Sequence, residues 1–232
     1  MAGQVKSRKR VQEHGEVFTN EREVNAMLDM VKQETERIDS RFLEPACGDG
    51  NFLVEVLRRK LDVVDKRYRK SQHEWEKYAF VAIGSIYGVE LLHDNVEACR
   101  SRLYDMVEER YRRVAEESPN PAFFGAARFV LGRNILDGNA LSLKAVDEHG
   151  NDTDEPIIFS EWSIVMGDKV KRRDFRLDEM LEGSADEPQI PLFGSNGTPA
   201  SEWELDQETG SLIPKPIREY APTSFYEVMN VE

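Results

Sequence analysis

The sequence predicts an α/β protein with a mainly parallel sheet and helices on both faces. Short apolar runs, typical of buried strands, alternate along the chain with longer segments in which apolar residues recur at helical spacing. A glycine-containing turn also joins the first predicted strand directly to a helix, an arrangement that favours strands connected through helices. These two observations define the fold class.

The predicted elements follow in chain order. A helix over 21–36 begins after Asn20, whose side chain suits the N-cap position. Next come a strand at 41–45, a helix at 51–61, a charged segment at 62–77 that is a surface helix or an insertion, a buried strand at 80–91 and a helix at 94–117. The prolines at 119 and 121 end that helix, and apolar runs at 129–131, 134–136, 157–159 and 162–166 are the later strand candidates.

The pattern of strands and helices ends near residue 182. Beyond it the chain is rich in proline, glycine, serine and acidic residues. We therefore divide the sequence into a domain over 1–182 and an irregular C-terminal extension over 183–232. Trp203, Phe225 and Tyr226 predict that this extension docks on the domain instead of remaining fully disordered.

Composition excludes several classes of protein. No apolar run approaches the roughly 20 residues that a membrane-spanning helix needs, and no apolar stretch follows the basic N-terminus as in a secretory signal. The two cysteines and four histidines lack the spacing of metal ligands. Reduced cysteines of this kind are typical of a cytoplasmic protein.

The formal net charge of −13 bears on possible partners. It argues against strong DNA binding by this chain alone, and it permits a basic partner subunit. Positive charge is concentrated at 6–10, 66–70 and 169–173. Solvated surface charge is the simpler interpretation of the cluster at 66–70, whereas the sequence leaves the cluster at 169–173 open.

The strongest ligand signal lies at 42–53, which runs Phe-Leu-Glu-Pro-Ala-Cys-Gly-Asp-Gly-Asn-Phe-Leu. A strand stops there, Gly48 and Gly50 allow a sharp turn and a close approach of ligand to main chain, and a helix begins at once. The first turn of that helix offers unpaired N–H groups to an electronegative ligand. Such a turn is common to many nucleotide-binding proteins. The chain lacks the longer glycine-lysine motif of triphosphate cradles.

Glu90 is the second ligand signal, because it ends the next buried strand. A carboxylate in this position can accept hydrogen bonds from both hydroxyls of a ribose. It lies further from the glycines than the roughly 20 residues usual in dinucleotide-binding folds, which suggests that 62–77 is inserted. The alternative is an exposed glutamate at a strand end.

Four segments of the chain resemble the adenine-N6 DNA methyltransferases. The family's cofactor loop, Leu-Glu-Pro-Ala-Cys-Gly-x-Gly-x-Phe-Leu, matches 43–53, and Gly-x-x-Phe-Thr matches 15–19, with Asn20 where the family commonly has proline. Residues 86–90 match the acidic strand end, and 138–141 match Gly-Asp-Ala-Leu with Asn139 in place of the aspartate. The resemblance covers about 11–143.

This resemblance implies a Rossmann-like class I methyltransferase fold and S-adenosyl-L-methionine as the cofactor. The family's residue at position 139 is associated with the adenine amino group, and the amide oxygen of Asn139 can still accept a hydrogen bond without charge. The resemblance assigns the following residues to cofactor binding: Phe18, Thr19, Glu44, Pro45, Ala46, Gly48, Gly50, Phe52, Glu90, Asn139, Ala140 and Leu141.

The family's catalytic tetrapeptide, Asp/Asn-Pro-Pro followed by an aromatic residue, is missing, since no two prolines are adjacent. In that family its polar groups accept hydrogen bonds from the target amino group, and its ring stacks on the extruded base. At the expected place, after 162–167, the chain has Asp168 with neither proline nor aromatic ring. Asp168 is the one catalytic candidate, and a charged turn is the simpler interpretation.

The resulting prediction is an S-adenosylmethionine-binding subunit of an adenine-specific DNA methyltransferase, of a restriction–modification or phage-defence type. A second protein subunit would supply the catalytic motif and the DNA specificity, so that DNA is reached through the complex. Three alternatives remain: a catalytically inactive binding or regulatory protein, an acidic mimic of DNA, and a small-molecule methyltransferase. The turn at 42–53 that contains Gly48 and Gly50, called the glycine loop below, counts against the mimic, as does Glu90. The similarity of this loop to that of the adenine-N6 DNA methyltransferases counts against a small-molecule substrate.

Overall fold

The computed structural model describes residues 19–115, 118–182, 203–205 and 212–231. Its largest sheet has the strand order β1-β2-β3-β4-β5. The strands are β1 (Phe42–Glu44), β2 (Ile86–Glu90), β3 (Ile135–Asn139), β4 (Lys144–Val146) and β5 (Asp152–Pro156). β1, β2 and β3 are parallel, whereas β4 and β5 pair antiparallel. The α/β class is confirmed, and the sheet is mixed, with its parallel part next to the glycine loop.

The helix predicted over 21–36 is divided in two. α1 (Glu21–Met30) starts after Asn20, whose side chain accepts a hydrogen bond from the backbone N–H of Glu23 at 3.0 Å. This confirms the predicted N-cap. Val31 has φ −118° and ψ 32°, outside the helical region, so α1 ends there and the short α2 (Lys32–Thr35) follows.

α3 (Asn51–Tyr68) extends well beyond the helix predicted at 51–61. The first part of the charged segment continues this helix. Midway along α3, the fully buried Lys60 donates hydrogen bonds to Ser85 Oγ and to the carbonyl oxygens of Ile38 and Ser40. These partners lie just before β2 and β1. Lys60 therefore ties α3 to the amino-terminal ends of both strands.

The apolar run at 80–91 is not a single strand. Its first half completes α4 (Gln72–Gly84), and β2 begins only at Ile86. Ala79, Phe80 and Ile83 have exposures of 0%, 1% and 0%, so this part of the helix is buried on several sides. A helix buried in this way shows a continuous apolar run without visible periodicity, which is why the predicted strand at 80–84 is wrong.

α4 packs against the second half of α3 and lies outside the sheet. The rings of Tyr68 and Tyr78 stack with centroids 3.8 Å apart, and Trp75 Nε1 donates to Asp65 Oδ1 at 2.7 Å. Because Lys60 already marks the amino-terminal edge of the sheet, the α3–α4 turn projects beyond that edge. The glycine loop lies at the opposite end of α3.

α5 (His93–Arg112) and α6 (Pro121–Asn134) connect β2 to β3. The Asn120 side chain accepts a hydrogen bond from Ala122 N at 3.1 Å, and Pro121 occupies the first turn. Proline is favoured there because the first helical N–H groups have no intrahelical partner. The proline turn therefore starts α6, and the predicted strand at 129–131 is wrong because these residues are helical.

The two faces of the sheet are covered differently. Residues of α3 to α6 form the main core against Ile86 and Ile135. On the other face Tyr87 and Val89 join a smaller cluster with residues that follow β5, namely Ile157, Phe159 and Leu177. A strand and the first residue of a short helix thus cover this second face, where longer helices were predicted.

The chain after β5 forms a hairpin and then a docked segment. β6 (Ile158–Met166) and β7 (Lys169–Arg176) pair antiparallel, and α7 (Leu177–Glu182) follows. β8 (Trp203–Leu205) pairs with β9 (Leu212–Pro214). β10 (Arg218–Glu219) and β11 (Thr223–Ser224) add to β7, before the 3₁₀ helix Phe225–Asn230.

The described end of the C-terminal extension is docked, as predicted. Phe225 is fully buried in the main core, and its ring lies 5.6 Å from that of Phe80. Within the described ranges, the helices are all too short or too polar to cross a membrane.

Candidate functional site

The glycine loop has the turn geometry that the sequence predicts. Gly48 and Gly50 have φ values of 54° and 91°, in the left-handed region that favours glycine. Cys47 N donates to the carbonyl oxygen of Val89 at 3.0 Å, which fixes the loop to the end of β2. Gly50 N donates to Cys47 O at 2.9 Å, and Gly50 is the N-cap of α3. The loop therefore lies at the carboxyl ends of β1 and β2.

Close packing behind the loop provides a second reason for glycine. A Cβ atom at position 50 would lie 2.6 Å from Cys99 Sγ, and one at Gly88 would lie 2.9 Å from Cys47 Sγ. From the sequence, Gly50 is expected to allow close approach by a ligand. In the structure its missing side chain leaves room for α5. Contact with Cys99, together with burial, raises the pKa of Cys47.

Glu90 holds the glycine loop through its carboxylate. Oε2 accepts a hydrogen bond from Gly48 N at 2.9 Å, and Oε1 accepts from Leu92 N at 3.0 Å and from Asn95 Nδ2 at 3.3 Å. The side chain is buried, with 9% of the residue exposed. A carboxylate has about four acceptor positions, and three donors already occupy three of them. Glu90 can therefore accept one further hydrogen bond, whereas the sequence predicted that it accepts from both ribose hydroxyls.

Two side chains connect the loop to other elements. Arg102 of α5 donates to the carbonyl oxygen of Asp49 at 2.8 Å and lies 2.9 Å from its Oδ1. Asn51 Nδ2 donates to the carbonyl oxygen of Thr19 at 3.2 Å. Thr19 is therefore beside the start of α3. Phe18 lies outside the described residues.

The start of α3 presents backbone donors. The first intrahelical bond of this turn runs from Val54 N to Gly50 O at 2.8 Å. The N–H groups of Asn51, Phe52 and Leu53 precede it and make no hydrogen bond to a residue that the structure describes. Unpaired N–H groups at a helix start attract electronegative ligand atoms.

The remaining loop residues differ in exposure. Pro45 and Ala46 are exposed, whereas Phe52 is partly buried and packs against the main core. Burial raises the pKa of Glu44, against a smaller opposing effect of its hydrogen bond with Ala46. Pro45 and Ala46 are thus accessible to a ligand, whereas Glu44 and Phe52 are partly buried beside the loop.

The segment predicted to contact adenine lies at the end of β3. Asn139 Oδ1 accepts from Leu141 N at 3.0 Å, and its Nδ2 donates to Asp152 Oδ1 at 2.8 Å. Ala140 packs beside the smaller core cluster, whereas Leu141 is 98% exposed. Asn139 therefore ends β3 with an Asx-type turn and connects it to β5. One lone pair of its amide oxygen is already used.

His93 and Asp137 form a pair at the edge of the candidate site that was not predicted from the sequence. His93 Nδ1 lies 2.8 Å from Asp137 Oδ1, which joins the start of α5 to β3. The hydrogen bond with Asp137 raises the pKa of His93. The available signal was position, because His93 follows Glu90 by three residues and Asp137 lies in the adjacent strand, β3.

Asp168 contacts the first turn of α4 and no residue of the glycine loop. Its Oδ1 is 3.0 Å from His73 Nε2, in the first turn of α4, and His73 Nδ1 is 2.9 Å from the hydroxyl of Tyr226. α4 runs from this turn to Gly84, at the amino-terminal end of β2, whereas the glycine loop lies at the carboxyl ends of β1 and β2. The glycine loop and Asp168 are not brought together.

Comparisons with protein-family models, curated proteins and solved structures found no significant match to this chain. Among the described residues, no group of histidine, cysteine, aspartate and glutamate side chains is arranged to hold a metal ion. The candidate site is therefore defined by its own geometry. It comprises the glycine loop, Thr19, Glu90, the His93–Asp137 pair and the end of β3.

Proposed function

We propose that this chain is the S-adenosylmethionine-binding subunit of an adenine-specific DNA methyltransferase of a restriction–modification or phage-defence type. A partner chain supplies the catalytic tetrapeptide and the DNA specificity. The observation that carries the proposal is the hydrogen bond from Gly48 N to Glu90 Oε2. It joins the two segments with the most specific chemistry at the carboxyl ends of adjacent parallel strands, where ligands of open α/β sheets bind.

The residues present fit this cofactor. The N–H groups at the start of α3 suit a carboxylate, and the remaining acceptor position of Glu90 suits one ribose hydroxyl. Thr19 and the exposed residues Pro45 and Ala46 lie beside these groups. When bound, the cofactor supplies a methyl group on a positively charged sulfur. This chain binds and orients that cofactor.

The position of Asp168 supports a complex in which this chain binds the cofactor and a second chain supplies the groups for methyl transfer. Transfer to an exocyclic amino group needs acceptors at the nitrogen and a stacking surface for the base. Asp168 is distant from the glycine loop, so we assign it no part in methyl transfer. The same observation favours the second candidate, a protein that binds the cofactor and transfers no methyl group.

Cofactor binding is the first test. Calorimetry with the full chain is expected to give micromolar dissociation constants for S-adenosylmethionine and its demethylated product, about −8 kcal/mol. Glu90→Gln should weaken binding at least tenfold, because an amide nitrogen would face the loop's own donors. Glu148→Gln, in the exposed β4–β5 turn, makes the same change in charge and should leave affinity unchanged. No heat from the wild-type chain at millimolar cofactor would contradict the proposal.

Methyl transfer is the second test. The isolated chain should transfer labelled methyl groups to DNA at background level only. Copurification with a neighbouring-gene product that carries the Asn-Pro-Pro-Tyr motif should restore transfer to adenine. Cofactor binding without restored transfer would favour the inactive binding protein. Robust activity of the isolated chain would contradict the need for a partner.

A further inference from the structure

The last turn of α3 and the connection to α4 carry four cations within five residues. Lys66, Arg67, Arg69 and Lys70 are all exposed. None of them forms an ion pair with a residue in the part of the chain that the structure describes. We call these four residues the cation turn.

Some exposed cations elsewhere on this acidic protein, such as Arg22 and Lys144, also lack an ion pair in the described part of the chain but stand singly in the sequence, whereas several others are neutralised by a neighbour on their own helix or turn. Four examples are the pairs Lys32–Glu36, Arg37–Glu34, Arg112–Glu108 and Arg113–Glu109. The acids closest to the cation turn on α3 are already bound to another helix, since Arg110 contacts both Asp62 and Asp65. Local positive charge therefore remains at the cation turn.

Contacts between α3 and α4 hold the backbone of the cation turn in place. The stacked rings of Tyr68 and Tyr78 are inclined by only 9°, and both side chains are partly exposed. Ser71 caps α4 by accepting a hydrogen bond from Glu74 N at 3.3 Å. Trp75 binds Asp65 across the two helices. The cations thus extend from a fixed backbone beside an aromatic surface.

We propose that the cation turn binds the phosphates of a nucleic acid. Closely spaced cations beside partly exposed aromatic rings suit a strand that presents a phosphate at every nucleotide. The net charge of −13 disfavours contact between such a polyanion and the acidic surfaces of the chain, which favours contact at the cation turn. Nucleic-acid binding at the cation turn does not require cofactor binding, because the cation turn lies about 27 Å along α3 from the glycine loop.

Fluorescence anisotropy of the full chain with a labelled 20-base-pair duplex tests the proposal. With four phosphates contacted, affinity should fall about 100-fold between 50 and 200 mM salt. The variant Lys66→Ala/Arg67→Ala/Arg69→Ala/Lys70→Ala should lose at least tenfold in affinity at 50 mM salt and most of the salt dependence. The matched control, Lys32→Ala/Arg37→Ala/Arg112→Ala/Arg113→Ala, removes the same charge from paired positions and should retain more than half of the wild-type affinity.

Three outcomes would overturn the proposal. They are equal losses in both quadruple variants, unchanged binding in the cation-turn variant, and competition by polyglutamate as strong as that by unlabelled DNA. Thermal unfolding of each variant checks that the fold is retained. Arg67→Lys/Arg69→Lys keeps the charge and should bind as the wild type, so a loss in this variant would also count against simple phosphate binding.

Discussion

Replacing Lys60 with methionine tests how the fold holds a buried cation. Lys60 is 0% exposed, and its ammonium group reaches three oxygen acceptors at the amino-terminal ends of β1 and β2. Burial lowers the pKa of Lys60 to about 7 from its usual value of 10.5. Methionine keeps the length of the side chain and removes the charge, although it leaves the two carbonyl oxygens without this donor.

The size of the expected change in stability follows from the difference between the pKa of Lys60 in the folded protein and its pKa in the unfolded chain. Above pH 7 the folded protein loses the proton of Lys60 while the unfolded chain keeps it, so stability rises with pH until about 10.5. Between pH 7 and 9 this gain amounts to about 2 kcal/mol. Below pH 7 both states are protonated, and the full cost of burying the charge remains. Lys60→Met removes this pH dependence and costs about 1–3 kcal/mol through the unpaired carbonyl oxygens.

Urea unfolding of wild type and variant at pH 7, 8 and 9 measures the effect. The free energy of unfolding of the wild type should rise relative to that of Lys60→Met as the pH increases. Lys215→Met, at an exposed lysine, serves as the control and should follow the wild type. Parallel curves for wild type and Lys60→Met would show that Lys60 stays protonated in the folded protein, which would refute the reasoning.

Three further predictions concern the candidate site. Gly50→Val should destabilise the protein in thermal unfolding and abolish cofactor binding in calorimetry, because its Cβ would clash with Cys99; wild-type stability would contradict this. Cys47 and Cys99 should react with a thiol reagent only after unfolding, since both are buried and the pKa of Cys47 is raised; rapid labelling of the folded chain would show otherwise. Asn139→Asp should lower the melting temperature by placing a carboxylate against Asp152, and adding Asp152→Asn should restore it; an unchanged melting temperature in the single variant would exclude this repulsion.

Local features of the chain were predictable from sequence. Asn20 caps its helix and the two loop glycines adopt left-handed conformations, because each depends on only a few neighbouring residues. The strand at 86–90 was also predicted, since it is a short apolar run that ends at an acidic residue. These features define the position of the glycine loop.

Features set by tertiary packing were not predictable. Residues 80–84 are helical because α4 is surrounded by other helices, and a uniform apolar run does not distinguish that environment from a buried strand. Asp168 lies far from the glycine loop because β6 runs past the sheet to meet α4. The contacts of Glu90 to the loop likewise depend on how two distant segments meet.

α3 is one uninterrupted helix from the glycine loop to the cation turn. Its 18 residues contain no glycine or proline, and such helices bend only gently. Lys60 fixes its middle to the sheet, so the two ends cannot shift independently. A ligand bound at the glycine loop and a ligand bound at the cation turn would therefore be held in a constant relative orientation. The length of α3 sets their separation at about 27 Å.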